Sequence, residues 1–287
     1  MNDILAGVLI GLGILILAVI FLDTNLFVVR RYQLNTPKIR KDIKIVMLSD
    51  LHNCSFGRNN GKLLAAIDEI HPDQVLIAGD MITGGRKLHD SNVLEFLQQL
   101  ATRYPVIYGN GNHEQKIRNY MDENGNLYDQ YRKKLECIGL QPKVNEHVTD
   151  EIHGVTVYSS QISHDFYTRF RRKPMAEDYL AGILGAPETD TYTILIAHNP
   201  DYFPEYAAWG ADLVLSGHVH GGIARLPLLG GVLSPAYRLF PKYDGGMFRE
   251  NNSTMILGRG LGTHTIPVRF LNPGELVVVE LHKQGER

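Results

Sequence analysis

Three observations predict an α/β fold for this chain. Short, continuous apolar runs alternate with longer amphipathic stretches, several of those runs stop abruptly at polar residues, and the alternation recurs in both halves of the sequence. The runs Ile45-Val46-Met47-Leu48, Val75-Leu76-Ile77-Ala78 and Val106-Ile107-Tyr108 lack the period-two alternation of a half-exposed strand, so they read as strands covered on both faces. Between them, Leu63, Leu64, Ala66, Ile67 and Ile70, then Val93, Leu94, Leu97 and Leu100, recur at helical spacing. Strand, helix, strand in this order implies βαβ crossovers and a largely parallel sheet.

In chain order, Ile4 to Leu22 comes first, an uncharged apolar run closed by Asp23. At about 1.5 Å per residue it is just long enough to cross a hydrocarbon core of about 30 Å. A cleaved signal peptide is the competing reading. Against it, Asn2 and Asp3 stand where a basic n-region belongs, and no small-x-small cleavage site follows. Residues 1–25 are therefore expected to be a single-pass anchor and residues 43–287 one catalytic domain. Arg30, Arg31, Lys38, Arg40 and Lys41 all follow the anchor, which by the positive-inside bias places that domain on the cytoplasmic face. No twin-Arg pair precedes the run to support export.

Further along, Ile117 to Ile138 reads as a polar helical stretch ended by Gly139, and Val144 to Ile152 with Val155 to Ser160 as a hairpin turning at His153-Gly154. The second half resumes with apolar runs before His198 and His218 and finishes with strands at Met255 to Leu257 and Leu276 to Leu281. No long linker, internal repeat or low-complexity tract divides it. Two stretches lack periodicity, His164 to Glu188 and Gly222 to Arg249, and irregular insertions on a rigid scaffold are where substrate contacts usually reside, although a solvated basic surface and an ordinary loop fit equally well.

Composition bounds the function. A chain of 287 residues, less its anchor, suits one large domain with a full core. Its net charge of −2 gives nucleic acid no global attraction. Cys54 and Cys137 form no closely spaced pairs, which argues against a disulfide-stapled fold, and Cys54, two residues beyond His52, reads as a small packed thiol.

The chemistry concentrates at five run ends. Leu213-Val214-Leu215 leads into Ser216-Gly217-His218-Val219-His220-Gly221-Gly222, a tight loop offering two imidazoles to a cation. The other four are Asp50-Leu51-His52, Gly79-Asp80, Gly111-Asn112-His113-Glu114 and His198-Asn199-Pro200, each after an apolar run. Five strand ends converging on one rim is a signal that no single histidine carries. His71, His89, His147, His153, His164 and His282 lack such a setting and read as ordinary core or surface groups; His264, in the segment Gly258-Arg259-Gly260-Leu261-Gly262, fits either reading.

In this order, D-x-H, G-D, G-N-H-[DE], a lone H and G-H-x-H resemble the calcineurin-like metallophosphoesterase superfamily over residues 43 to 282, and the apolar N-terminus with the Gly258 to His264 tail resembles its membrane-anchored bacterial branch. The resemblance implies a sandwich of two mixed β-sheets flanked by helices. It also implies two divalent metal ions, one held by Asp50, His52 and His220, the other by Asn112, His198 and His218, with Asp80 bridging. An oxygen and nitrogen donor set without thiolate suits Mn, Fe or Zn. Two such cations lower the pKa of a shared water, so that hydroxide is available to attack phosphorus, and His113 would support the transition state or protonate the leaving group. The chain departs from the pattern at Gly79-Asp80-Met81-Ile82-Thr83, where many relatives carry G-D-x-x-D with the last Asp orienting the catalytic histidine. Thr83 offers no carboxylate, which leaves Glu114 or Asp90 as substitutes and keeps a weakly active metal sensor as the alternative. The expected substrates are phosphodiesters or pyrophosphates, lipid- or nucleotide-linked. Leu226-Pro227-Leu228-Leu229 and Pro235 to Phe240 would face a membrane, and Arg225, Arg238 and the run Arg169 to Lys173 would face phosphate oxygens.

Overall fold

The computed structural model describes residues 2–168, 171–222, 224–226, 229–232, 239–263 and 267–285. Helix α1 (Asn2–Asn25) leads into strand β1 (Phe27–Thr36), followed by β2 (Ile43–Leu48), α2 (Gly61–Ile70), β3 (Gln74–Ala78), α3 (Ser91–Ala101) and β4 (Val106–Gly109). A short α4 (Asn112–Lys116), the small hairpin β5 (Met121–Asp122) and β6 (Gly125–Asn126), and α5 (Leu127–Cys137) precede β7 (Pro142–Lys143). The second half runs β8 (Glu146–Asp150), β9 (Val155–Ser160), α6 (Tyr179–Leu184), β10 (Tyr192–Ala197), α7 (Phe203–Trp209) and β11 (Leu213–Ser216). The small pair β12 (Arg225–Leu226) and β13 (Gly230–Gly231) precedes β14 (Gly246–Glu250), β15 (Ser253–Leu257) and β16 (Gly274–Lys283).

Two six-stranded mixed sheets result, ordered β1-β16-β2-β3-β4-β7 and β14-β15-β11-β10-β9-β8. The continuous apolar runs explain why they stack. Ile45 and Met47 of β2 pack with Ile194, Ile196, Leu213 and Leu215 in the core between the sheets. Their neighbours Val46 and Leu48 pack outward with Leu63, Ile67, Val93 and Leu97 of α2 and α3. On the far side, Leu195 and Val214 pack against Phe203 and Tyr206 of α7. Helix, sheet, sheet, helix is thus the layering, and the strands buried on both faces are mostly apolar, with Thr156, Ser159 and Thr193 held inside by hydrogen bonds of their hydroxyls.

Register fixes where the chain enters this sandwich. β16 is antiparallel to β2, with Val277 opposite Met47, so β16 starts at the rim where β2 ends. β1 is parallel to β16, with Phe27 opposite Gly274. Helix α1 therefore joins the domain on the same rim at which β2, β3 and β4 finish.

Two elements differ from expectation. Strand β1 precedes residue 43 and extends the first sheet; its mixed sequence hides it because most of its side chains are exposed, with Arg30 paired to Glu275 at 3.1 Å and Arg31 to Glu280 at 3.4 Å. The helical stretch from Ile117 is interrupted. Asn124 donates its backbone N–H to Asp122, Gly125 takes φ 106°, and Asn126 caps α5 by accepting from the backbone N–H groups of Tyr128 and Asp129.

Candidate metal centre

Strand ends deliver every expected site residue to one rim. Asp50 and His52 follow β2, Asp80 follows β3, Asn112 and His113 open α4 after β4, His198 follows β10, and His218 and His220 follow β11. Backbone hydrogen bonds tie these ends together: Asp50 N–H to Gly79 O at 3.0 Å, His52 N–H to Asp80 O at 3.1 Å, Gly217 N–H to His198 O at 3.1 Å. Asp50, His52, Asp80, His218 and His220 all take left-handed backbone, with φ between 49° and 74°. Such conformations cost about 1 kcal/mol or more each and persist where the surroundings over-determine them. Glycines leave the room. A Cβ on Gly111 would lie 2.2 Å from Asp80 Oδ1, and one on Gly217 would lie 2.4 Å from Asp50 Oδ2.

The side chains converge in three overlapping groups, Asp50 with His52 and His220, His52 with Asp80 and His113, and Asp80 with His198 and His218, the ligand atoms of each within 4.8 Å of one another. His220 Nε2 lies 3.3 Å from Asp50 Oδ1 and 3.1 Å from His52 Nε2. His198 Nε2 lies 2.9 Å from Asp80 Oδ2, while its Nδ1 donates to Ala78 O at 2.6 Å, leaving Nε2 as the donor atom for a cation. Asn112 Oδ1 is buried without a hydrogen-bond partner among the described residues. A buried amide oxygen in that state costs about 1 to 3 kcal/mol unless a cation or water meets it. The residues present thus fit divalent cations, in donor type and in the acceptor they leave open.

Electrostatics point the same way. Asp50 and Asp80 are both buried, and two adjacent carboxylates out of water need positive charge. Burial, with Asp80 nearby, pushes the Asp50 carboxyl up to about 6. Burial also penalises Asp80, but the imidazoles of His198, His113 and His52 together outweigh it and hold Asp80 well below the usual carboxylate range; burial likewise opposes charge on His198, but Asp80, with Asp50 and the Ala78 carbonyl, raises it to about 10.

His113 is oriented by the backbone. Gly84 N–H donates to its Nδ1 at 2.8 Å, so the neutral ring carries its proton on Nε2; burial lowers its pKa and favours that neutral form. Neither expected substitute touches it in this way. Glu114 accepts from the backbone N–H groups of Asp80, Met81 and Gly111, each at 2.9 Å, and from Tyr108 O–H at 3.1 Å. Burial followed by Asp80 pushes Glu114 up to about 7, yet this set of donors serves the ionised carboxylate. Asp90 pairs with Lys134 at 2.9 Å, and Thr83 donates its hydroxyl to His52 O at 3.2 Å.

Some functional neighbours carry no sequence signal. Tyr167 places its ring 5.2 Å from that of His218 and 6.2 Å from that of His198. Arg269 and Asn272 are buried beneath the metal loops. Nothing in the surrounding residues marks a lone Arg, Asn or Tyr as special. Of the basic residues expected to face phosphate, Arg225 is engaged with Asp244 at 3.2 Å, Arg172 with Glu205, and Lys173 with Asp165 at 3.1 Å. Arg169, Pro227, Leu228, Pro235 to Arg238 and His264 lie outside the described residues. His153, buried, pairs with Asp150, and His282, half-exposed, with Asp42, and Cys54 Sγ accepts from Thr263 N–H at 3.4 Å.

The calcineurin-like phosphoesterase family model matches residues 43–222. An uncharacterized metallophosphoesterase of Bacillus subtilis, YkuE, is 25% identical over 83% of this chain and 78% of its own length. An uncharacterized metallophosphoesterase of Helicobacter pylori is 28% identical over 85% of this chain, which spans 61% of that relative's length. A zebrafish (Danio rerio) transmembrane protein with a metallophosphoesterase domain is 25% identical over 85% of this chain and 54% of its own. With the ordered motifs gathered on one rim and the family model spanning most of the sandwich, this chain belongs to the calcineurin-like phosphoesterases, metal-dependent hydrolases of phosphoric esters.

Proposed function

We propose that the chain is a membrane-anchored phosphoesterase whose centre takes two divalent cations, of Mn, Fe or Zn type. Asp50, His52 and His220 would hold one, Asn112, His198 and His218 the other, and Asp80 both. The observation that carries this reading is the burial of two carboxylates against convergent imidazoles, beside an Asn112 oxygen left open. Bound cations supply an activated water and neutralise charge on the phosphoryl oxygens during in-line displacement. The protein supplies the rest. Glu114 and the left-handed turns fix the loops, and His113, held as the Nε2–H tautomer by Gly84, would donate a hydrogen bond from Nε2 to a phosphoryl or leaving oxygen, the proton staying on the ring. Gly84 thereby does the orienting for which Thr83 has no carboxylate, which favours turnover over a metal-sensing role.

Anchoring rests on α1. Residues Asp3–Asn25 are long and apolar enough to cross a membrane, about 35 Å of helix, and Ile4, Leu9, Ile14 and Leu17 are exposed with no protein against them. The basic residues from Arg30 to Lys41 favour a cytoplasmic domain. Exposed Leu226, Leu229, Leu239 and Phe240, in the segment after the metal loop, favour a phosphodiester or pyrophosphate whose head group carries an acyl or prenyl chain. Full-length protein in detergent, loaded with Mn(II), is expected to contain two metals per chain and to hydrolyse bis-para-nitrophenyl phosphate. It should also cleave a prenyl pyrophosphate in mixed micelles faster than the water-soluble analogue. Changing Leu239 and Phe240 to Ser should slow only the micellar reaction. Full metal content without turnover on any ester would leave the sensing role; equal rates on lipid and soluble substrates would remove the lipid.

A further inference from the structure

Beneath the metal loops lies a buried clasp that the hydrolytic chemistry does not call for. Arg269 is 2% exposed, and among the described residues no carboxylate lies within 4 Å of its guanidinium. Its two terminal nitrogens instead meet carbonyls, while Nε is buried with no partner among the described residues. One terminal nitrogen donates to Arg259 O at 2.9 Å, Gly260 O at 3.1 Å and Gly262 O at 2.7 Å; the other reaches Asn272 O at 3.2 Å and His220 O at 3.5 Å. Asn272, fully buried, donates its side-chain amide to His220 O and Gly222 O, both at 2.7 Å. A charge taken from water is costly, and spending it on main-chain oxygens makes sense where those oxygens must be held in one arrangement.

Two of the clasped carbonyls bear directly on candidate ligands. Gly262 O, fixed by Arg269, lies 3.3 Å from His220 Nδ1, the contact that turns Nε2 toward Asp50. Gly262 N–H donates to Asp50 O at 2.7 Å, so the same residue braces a second ligand. The clasp also reaches the other way. Arg269 N–H donates to Thr24 Oγ1 at 3.2 Å, Asn272 N–H to Asp23 Oδ2 at 2.9 Å, and Gly274 N–H to Leu26 O at 3.2 Å. Asp23 and Thr24 close the anchor helix, which joins the domain on the site's own rim.

We propose that Arg269 and Asn272 are positioning residues for the metal centre, and that through Asp23 and Thr24 they make the end of the anchor helix part of its support. This rests on the metal-site reading above. In metal proteins, removing a group that orients a ligand costs about 10- to 100-fold in metal affinity. The loss of the two hydrogen bonds at the anchor end, one to the Thr24 hydroxyl and one to the Asp23 carboxylate, acts on the ligands only through the clasp and should cost about two- to tenfold.

The test uses full-length protein in detergent, with Mn(II) alone as the probe, followed by calorimetry and by the Mn(II) electron paramagnetic resonance spectrum. Arg269→Ala and Asn272→Ala are each expected to weaken Mn(II) binding about 10- to 100-fold and to alter the spectrum. Added methylguanidine should restore Arg269→Ala, whereas Arg269→Lys, lacking the planar fork, should stay weak. Asp23→Ala combined with Thr24→Ala should weaken binding in the same direction by the smaller factor. Parent-like affinity and spectrum in Arg269→Ala overturn the assignment; if that variant does not fold, parent-like binding in Asn272→Ala overturns it equally. Unchanged binding in the Asp23→Ala, Thr24→Ala variant removes the link to the anchor. A parent protein that binds no Mn(II) removes the metal centre, and the inference with it; a parent that binds while every variant matches it removes the inference alone.

Discussion

The two sheets contribute unlike chemistry to the shared rim. The first delivers Asp50, His52, Asp80, Asn112 and His113, and with them both carboxylates and the amide; the second delivers His198, His218 and His220, imidazoles only. Each proposed cation would draw on both layers, yet the negative charge that attracts it comes from one. Metal binding would therefore add a cross-link between sheets joined by apolar packing and by hydrogen bonds such as His198 Nδ1 to Ala78 O and His218 N–H to Asp50, and losses on the two sides should be unequal.

The sharpest way to break this asymmetry is Asp80→Ala. It removes the one carboxylate that both proposed cations would share, and metal analysis should find neither metal and no turnover; full activity at limiting metal would defeat the site. Next comes His113→Ala, where metal content should stay intact while turnover falls about 10² to 10⁴-fold. Loss of metal alongside activity would make His113 a ligand instead. A smaller effect is expected from chelation. With free Mn(II) at about 100 times its dissociation constant, each filled site stabilises the fold by about 2.7 kcal/mol, or roughly 5 to 10 °C in thermal midpoint for a domain of this size. Chelator should remove that gain in a single transition if the cations join the sheets. An early transition confined to one layer would speak against a cross-link.

The smallest effect probes the second sheet far from the metals. Asp150 closes the β8–β9 turn, accepting from Ile152 and His153 N–H and pairing with His153 Nδ1 at 2.7 Å. Burial opposes its charge, but the His153 contacts outweigh it and lower its pKa. A lowered carboxylate pKa gives stability that is present above the unfolded value and lost as pH falls through the folded one. Asp150→Ala should thus cost about 0.5 to 1 kcal/mol in urea denaturation at pH 7, less below pH 3, and the same with or without metal. A metal-dependent cost would tie this turn to the site.

How much of this was legible in sequence divides along physical lines. Runs such as Val75 to Ala78 announce buried strands because both faces are covered, and the ligands are read from the polar residues that follow where such runs stop. What sequence hides is whatever depends on contacts between distant segments. β1 is mostly exposed and gains its identity from β16 across the chain. Gly84 orients His113 through its backbone, which every residue but proline possesses. Arg269 is one arginine among many until three loops close round it. The left-handed turns at Asp50, His52, Asp80, His218 and His220 leave only a faint trace, because the enrichment of Asp and His in that region starts from a small base.

Only Leu26 separates α1 from β1, and β1 is bonded to β16 along its whole length from Phe27 to Thr36. Such a joint is the opposite of a tether. Under the proposed anchoring the catalytic rim would ride at a fixed height above the lipid, and the effective concentration of a membrane-borne head group would be set by its own length and not by any slack in the enzyme. Substrates of the right stature would be met by lateral diffusion alone, while head groups too short or too tall would pass the site unmet however abundant they are. For this molecule, selectivity would begin as a matter of altitude.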